Sequence, residues 1–398
     1  MADDGSSSAL LTTAQAALLV RRTAFGLKLN RVSSFTGLTR AAAVSRVLAE
    51  TAANSANQPD DWVGGFQNAT SGIGDRMTMF WHNLIPISRI DLTSNYSNKI
   101  PGNLAILKRN AVGNYRTLMH EIITDDGLIL YLNGNLNVKG SPNENLAREL
   151  MELFTIGPGH YSQRDVEQAA LAMTGWGGSG LHNNNKAHVG SITIFGQTRN
   201  SGQGNNQWNV HTLVDALLDR QETADRISKK IWHYFVGGEG DPRFNPPSDL
   251  GSRWRTTDGY ELQPLLERIL LSSQFWSRDY SRARNGLEIF AALASVTGIQ
   301  ASKNRSLMRN LGMLPYEPPN VAGWPTQDSV WLSYGTDLRI AKSLFELNIQ
   351  SSDTSVDQTL AKCGIFVADQ QNKATIASGA NPQERLRLAL ISPEFRMQ

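Results

Sequence analysis

The stretch Ser141-Pro-Asn-Glu-Asn-Leu-Ala-Arg-Glu-Leu-Met-Glu-Leu-Phe-Thr-Ile-Gly157 carries the densest set of side chains able to do chemistry. At about 100° per residue of helix, Asn145, Arg148, Glu149 and Glu152 gather on one side and Leu146, Leu150, Leu153 and Phe154 on the other. Two carboxylates one turn apart can share a proton as general acid and base. They can also bind a divalent metal ion, with Asp165 and His82 as further oxygen and imidazole ligands. The plainer reading of the same stripe is a solvated face with an Arg148–Glu152 pair. Upstream, Arg109, Arg116 and His120 fall on one helical line, and arginines two turns apart suit bidentate capture of a carboxylate, phosphate or sulfate. They serve equally well to pair with Glu149 and Glu152 in a structural network. Asn143 and Asn145 add amide groups for substrate binding, and His82, after Met79-Phe-Trp81, is a candidate base or a hydrogen-bonded packing residue.

The elements that must position these groups read as helices. Apolar residues recur three and four apart in 13–24, 39–53, 73–85, 102–123, 143–155, 163–174, 210–235, 259–275, 284–297 and 338–349. Ser141 as N-cap, Pro142 at the first helical position and Glu144 three residues after the cap predict a capping box, and Gly157-Pro158 stops that helix. The alternating run Gly190-Ser-Ile-Thr-Ile-Phe-Gly196 predicts a small hairpin near 186–200, inside an Asn/Gly-rich insertion at 177–209. Segments 237–257 and 312–335 lack periodicity. The first reads as a loop and the second, rich in Pro and Trp, as an ordered loop packed on the body. The fold class is therefore all-α: an irregular multi-helix bundle with long loops and one inserted hairpin, a single large domain over 1–398.

Composition narrows the function. With 38 basic and 36 acidic side chains the net charge is +2, too small a field to draw in nucleic acid or an anionic membrane. The single cysteine, Cys363, cannot form an intramolecular disulfide and reads as a small core residue. No window approaches the 18 apolar residues of a membrane span, and the start lacks the basic and apolar regions of a signal peptide. Nucleophile-elbow, His-Glu-x-x-His, EF-hand and phosphate-loop patterns are not found.

At several of these places the chain resembles the bacterial domain-of-unknown-function family number eighteen hundred. The likeness rests on Arg21-Arg22-Thr-Ala-Phe-Gly26, Met79-Phe-Trp-His-Asn83, Arg109-Asn-Ala-Val-Gly-Asn-Tyr-Arg116, the 143–157 block, Tyr161 with Asp165-Val166, Thr174-Gly-Trp176, Pro319 with Gly323-Trp324, and Ser392-Pro-Glu-Phe395. It implies a mostly helical, usually exported protein, periplasmic or extracellular in origin, with a sulfatase- or phosphatase-like partner. Two departures stand out: where relatives carry a second histidine after the His-Asn pair this chain has Leu84, and it lacks their His-Asp segment near His188.

Together these observations lead to the expectation of an enzyme, a hydrolase, using Glu149, Glu152 and His82 as catalytic groups on an anionic or hydroxyl-rich polymer such as a polysaccharide. Arg109, Arg116, Arg148, Asn143 and Asn145 would bind the substrate; in a metal-assisted version of the same chemistry the candidate ligands of a divalent ion are Glu149, Glu152 and Asp165. The alternative is a non-catalytic binding or maturation partner of a sulfatase/phosphatase-like protein or of a cell-surface glycan. The enzyme reading requires the acidic and guanidinium ridges to meet in one open hollow, whereas the binding reading makes them buried scaffolding and has the 177–209 insertion recognise the partner.

Overall fold

The computed structural model describes residues 7–51, 58–68, 71–92, 97–177, 181–277, 282–300 and 303–398. The acidic, serine-rich beginning and parts of the 177–209 insertion lie outside them. Among the described residues the fold is 58% helical with one two-stranded sheet, the all-α class that the periodicity predicts. A buried apolar cluster runs from Leu11 near one end of the chain to Phe395 near the other, gathering the inward faces of most helices.

Polar side chains punctuate the long periodic runs and break them. The 102–123 run becomes Ile100–Arg109 and Tyr115–Ile122, because Asn110 donates to the Ile106 carbonyl and Asn114 accepts from the Arg116 and Thr117 amides as an N-cap. The 210–235 run splits into Val210–Leu218 and Gln221–Val236, and 259–275 into Leu262–Leu271 and Ser273–Trp276, the latter started by Ser272 as N-cap.

The helix of the 143–157 block starts later than its capping signal. Ser141 is bound instead in a tight turn with Val138 around Gly140 at φ +81°, so no capping box forms there. Asn143 Oδ1 accepts the Asn145 amide at 3.0 Å, and the helix runs Asn145–Glu149 before widening into a π turn over Leu150–Phe154. Such widened turns leave carbonyls poorly paired and often mark functional sites.

The hairpin pairs Ser191–Ile194 with Gln197–Asn200, Ile192 opposite Arg199 and Ile194 opposite Gln197. Phe195 and Gly196 both take positive φ, 50° and 74°, as a two-residue primed turn requires. Ile192 and Ile194 are buried, and the first strand packs on the Gln163–Ala172 helix. The loop expected at 237–257 contains a helix, Leu250–Thr256, whose Leu250 and Trp254 are buried. Segment 312–335 packs on the body as expected, with Tyr316, Trp324 and Trp331 buried, and it holds the short helix Asp328–Trp331. Cys363 is a buried core residue whose thiol burial pushes up to about 12. No helix among the described residues is long and apolar enough to cross a membrane.

Candidate functional site

The two ridges do not share a hollow. Arg109 pairs with Glu121 at 2.8 Å and Arg116 with Asp215 and Asp219 at 2.5 and 2.8 Å, the second pair on the Val210–Leu218 side. The helix break at 110–114 separates the arginines from each other and turns them to local acids. Arg148 bonds Glu144 and Gln163 at 2.8 and 2.9 Å instead of Glu152. Asn143 and Asn145 serve the backbone, Asn145 donating to the Leu132 carbonyl at 3.2 Å.

Glu149 and Glu152 remain neighbours and are half-buried. Burial and the Glu152 charge raise the Glu149 carboxyl against the opposing pull of Arg148. Glu152 accepts the Tyr161 hydroxyl at 2.8 Å. Asp165 is used structurally: it closes a capping box with Ser162 and accepts the Phe195 amide at 2.8 Å, tying the hairpin turn to the helix start. Among the described residues no three His, Cys, Asp or Glu side chains are grouped so as to hold a metal ion, so the expected Glu149, Glu152 and Asp165 set does not assemble.

His82 lies within the core. Its Nε2 accepts the Tyr316 amide at 2.9 Å, and its ring stacks on Tyr316 with centroids 4.1 Å apart. Burial, then Arg89, push the imidazole down to about 3, so it is neutral and already used as an acceptor. Its neighbour Asn83 accepts the Trp324 amide at 2.6 Å and fixes the Gly323-Trp324 loop, where a Cβ on Gly323 would come within 2.3 Å of the Asn83 backbone oxygen.

A cavity of about 330 Å³ opens elsewhere, between the Ile73–Leu84 and Gln221–Val236 helices and the 312–335 segment. Phe80, Leu84, Leu153, Met313 and Trp331 supply apolar wall. Arg226, Lys229, Lys230 and His233 line it from one face of a single helix, at i, i+3, i+4 and i+7. Burial lowers the Lys230 ammonium, Arg226 lowers it further and Glu239 opposes them. His233 Nδ1 lies 2.9 Å from the Gly237 carbonyl, which fixes the proton on that nitrogen, and its buried Nε2 has no hydrogen-bond partner. Glu239 and Asp328 also line the cavity.

The acidic block reaches this cavity at Leu153, which lines it, and through Arg226. Arg226 Nη1 donates to the Leu153 and Thr155 carbonyls at 2.6 and 3.3 Å, at the end of the π turn, and Glu152 lies within its field. Gly157, at φ +85°, lets Arg226 pass: a Cβ there would sit 2.8 Å from Arg226 Cδ. Leu84, where the resemblance implies a histidine, also lines the cavity. The basic stripe is the signal that sequence reasoning passed over: the spacing of Arg226, Lys230 and His233, followed by Gly237-Gly238, is plain in the chain.

The chain matches the family described as Protein of unknown function (DUF1800) over residues 18–397, and it belongs to that family. No curated protein and no solved structure matches it.

Proposed function

We propose that this member of the DUF1800 family is an acid–base enzyme of hydrolytic class whose anionic, partly apolar substrate enters the 330 Å³ cavity. The observation that carries this reading is the cationic helix face of Arg226, Lys229 and Lys230 ending at His233, whose Nε2 has no partner. The cations attract and orient a negatively charged head, and the Phe80, Leu84, Leu153, Met313 and Trp331 wall takes an apolar body. His233, whose Nδ1 donates to the Gly237 carbonyl and leaves Nε2 as the acceptor, is the base, and Glu239 or Asp328 supplies the acid.

Bound anion would also restore the Lys230 ammonium that burial disfavours. An exported setting beside a sulfatase- or phosphatase-like partner, as the resemblance implies, is compatible with such a substrate, because sulfate and phosphate esters are anions. A second reading keeps Glu149 and Glu152 as the acid/base pair acting on a hydroxyl-rich polymer at the surface. It is supported by the raised Glu149 carboxyl beside Glu152 and Tyr161.

The test is calorimetric titration with alkyl sulfates, alkyl phosphates and fatty carboxylates of short chain length. The Lys229→Ala/Lys230→Ala double variant should lose at least ten-fold in affinity, and His233→Gln should keep binding and lose turnover of whichever ester is cleaved. Unchanged affinity in the double variant would remove the cavity from consideration. Loss of turnover in Glu149→Gln with His233→Gln unaffected would favour the surface pair.

A further inference from the structure

A second, much smaller hollow of about 20 Å³ lies among Arg21, Arg76, Arg284, Glu288, Lys362, Cys363 and Gln398. Its charges do not balance. Arg76, Arg284 and Glu288 are 0, 3 and 4% exposed, and Glu288 is shared between Arg76 and a fourth arginine, Arg282, while the Gln398 main-chain oxygen, also in the wall, is taken by Arg22 and the Arg282 amide, both at 2.8 Å. Lys362 has its own acid in Asp353, 3.6 Å away, and the Cys363 thiol is held neutral by burial.

Hydrogen bonding leaves the same remainder. Arg76 Nη1 is used by the Glu288 ion pair and Arg21 Nη1 by the Gly364 carbonyl at 3.0 Å. Arg76 Nε and Nη2, Arg284 Nη1 and Arg21 Nε are buried with no hydrogen-bond partner. Burial of unpaired guanidinium nitrogen costs several kcal/mol unless an anion or acceptor compensates it. Burial and Arg21 together push Arg284 down to about 9, and burial and Arg22 push Arg21 down to about 10. Gly26 completes the wall at φ +70°, where a Cβ would meet Ser295 Oγ at 2.2 Å.

We propose that this hollow is a binding site for one halide ion, chloride in solution, held by Arg21, Arg76 and Arg284 as the missing counter-charge. Size selects the guest. A volume of about 20 Å³ admits one atom the size of a water molecule or a halide, whereas sulfate, phosphate and carboxylates have several heavy atoms. Water of the same size brings no charge to set against the excess of guanidiniums. The site joins residues from the Thr13–Thr23, Ile73–Leu84 and Gly286–Thr297 helices, so its occupation stabilises the packing of all three.

The test is thermal unfolding of the full chain in potassium chloride, bromide or gluconate at matched ionic strength. Chloride and bromide should raise Tm by about 1–2 °C for each ten-fold increase above the Kd, and gluconate, too large for the hollow, should not. In Arg284→Met the halide-specific rise should vanish. Where that variant fails to fold, wild-type crystals grown in bromide decide: an anomalous peak within about 3.5 Å of the Arg76 and Arg284 nitrogens supports the site. Identical melting in chloride and gluconate, or a bromide map with no peak there, overturns it.

Discussion

Replacing Glu288 by glutamine keeps the side-chain shape and removes the charge that the Arg76 and Arg282 guanidiniums share. Burial pushes the Glu288 carboxyl up, but Arg282 and Arg76 outweigh it and hold the group down at about 2. Passing from 4.5 to about 2 corresponds, at about 1.4 kcal/mol per pH unit, to about 3 kcal/mol of stabilisation. Neutralising one partner of a buried ion pair costs about 3–5 kcal/mol by comparison with other proteins, which agrees. With an unfolding entropy near 2.1 cal/mol/K per residue over 398 residues, Glu288→Gln should melt about 4–6 °C below wild type. The assay is calorimetric melting in chloride-free buffer. A carboxyl depressed in the folded state stabilises fully above its unfolded value near 4.5 and stops doing so as pH falls through about 2. The difference between variant and wild type should therefore be constant from pH 7 to 5 and shrink below 4.5. Adding Arg282→Met to Glu288→Gln should recover part of the loss, since one uncompensated cation goes. A single variant melting within 1 °C of wild type at pH 7 would refute the charge accounting for both hollows.

Three further outcomes follow from the same geometry. His82, held neutral by burial and Arg89, should show no imidazole titration by NMR between pH 5 and 8, and stability should fall as pH drops from about 6.5 toward 3, because the unfolded chain takes up the proton first. A midpoint above 5 contradicts its place in the core. Gly157→Ala forces a side chain into φ +85° against Arg226 Cδ and should cost about 1–2 kcal/mol, read as a Tm drop of about 1–3 °C together with weaker anion binding in the cavity. Binding that is untouched would disconnect the acidic block from the cavity. For Glu149, raised by burial and Glu152 and only half-buried, the ionised form is penalised above its folded value and the penalty vanishes below about 4.5. Glu149→Gln at pH 7 should therefore melt level with wild type or slightly above it, and a fall of more than about 3 °C would show a structural role.

Helix positions were legible in the chain because burial on one side imposes the 3.6-residue rhythm directly, as in Leu262–Leu271, where Leu262, Leu265, Leu266, Ile269 and Leu270 are buried. The breaks were less legible. Asn110 and Asn114 are ordinary helix-surface residues until their side chains are seen to bond the backbone, and that break is why Arg109 and Arg116 never reach Glu149. Ser141-Pro-Asn-Glu144 satisfied the local rules of a helix start, yet the Val138–Ser141 turn claimed Ser141 first. The cavity depends on long-range packing between Leu84, His233 and Trp331, which no local window contains. Its basic stripe was present as spacing, but three cations and a histidine on a helix read equally well as a solvated face until Phe80, Met313 and Trp331 close over them.

The most direct measurement is the crystal structure of the protein soaked with a short alkyl sulfate. Density for the sulfate should lie beside Lys229 and Lys230, with the chain running toward Phe80, Leu153 and Trp331. Head-group density at Glu149 and Tyr161 instead, or none at a concentration that calorimetry shows to be saturating, would contradict the assignment of that cavity as the working site.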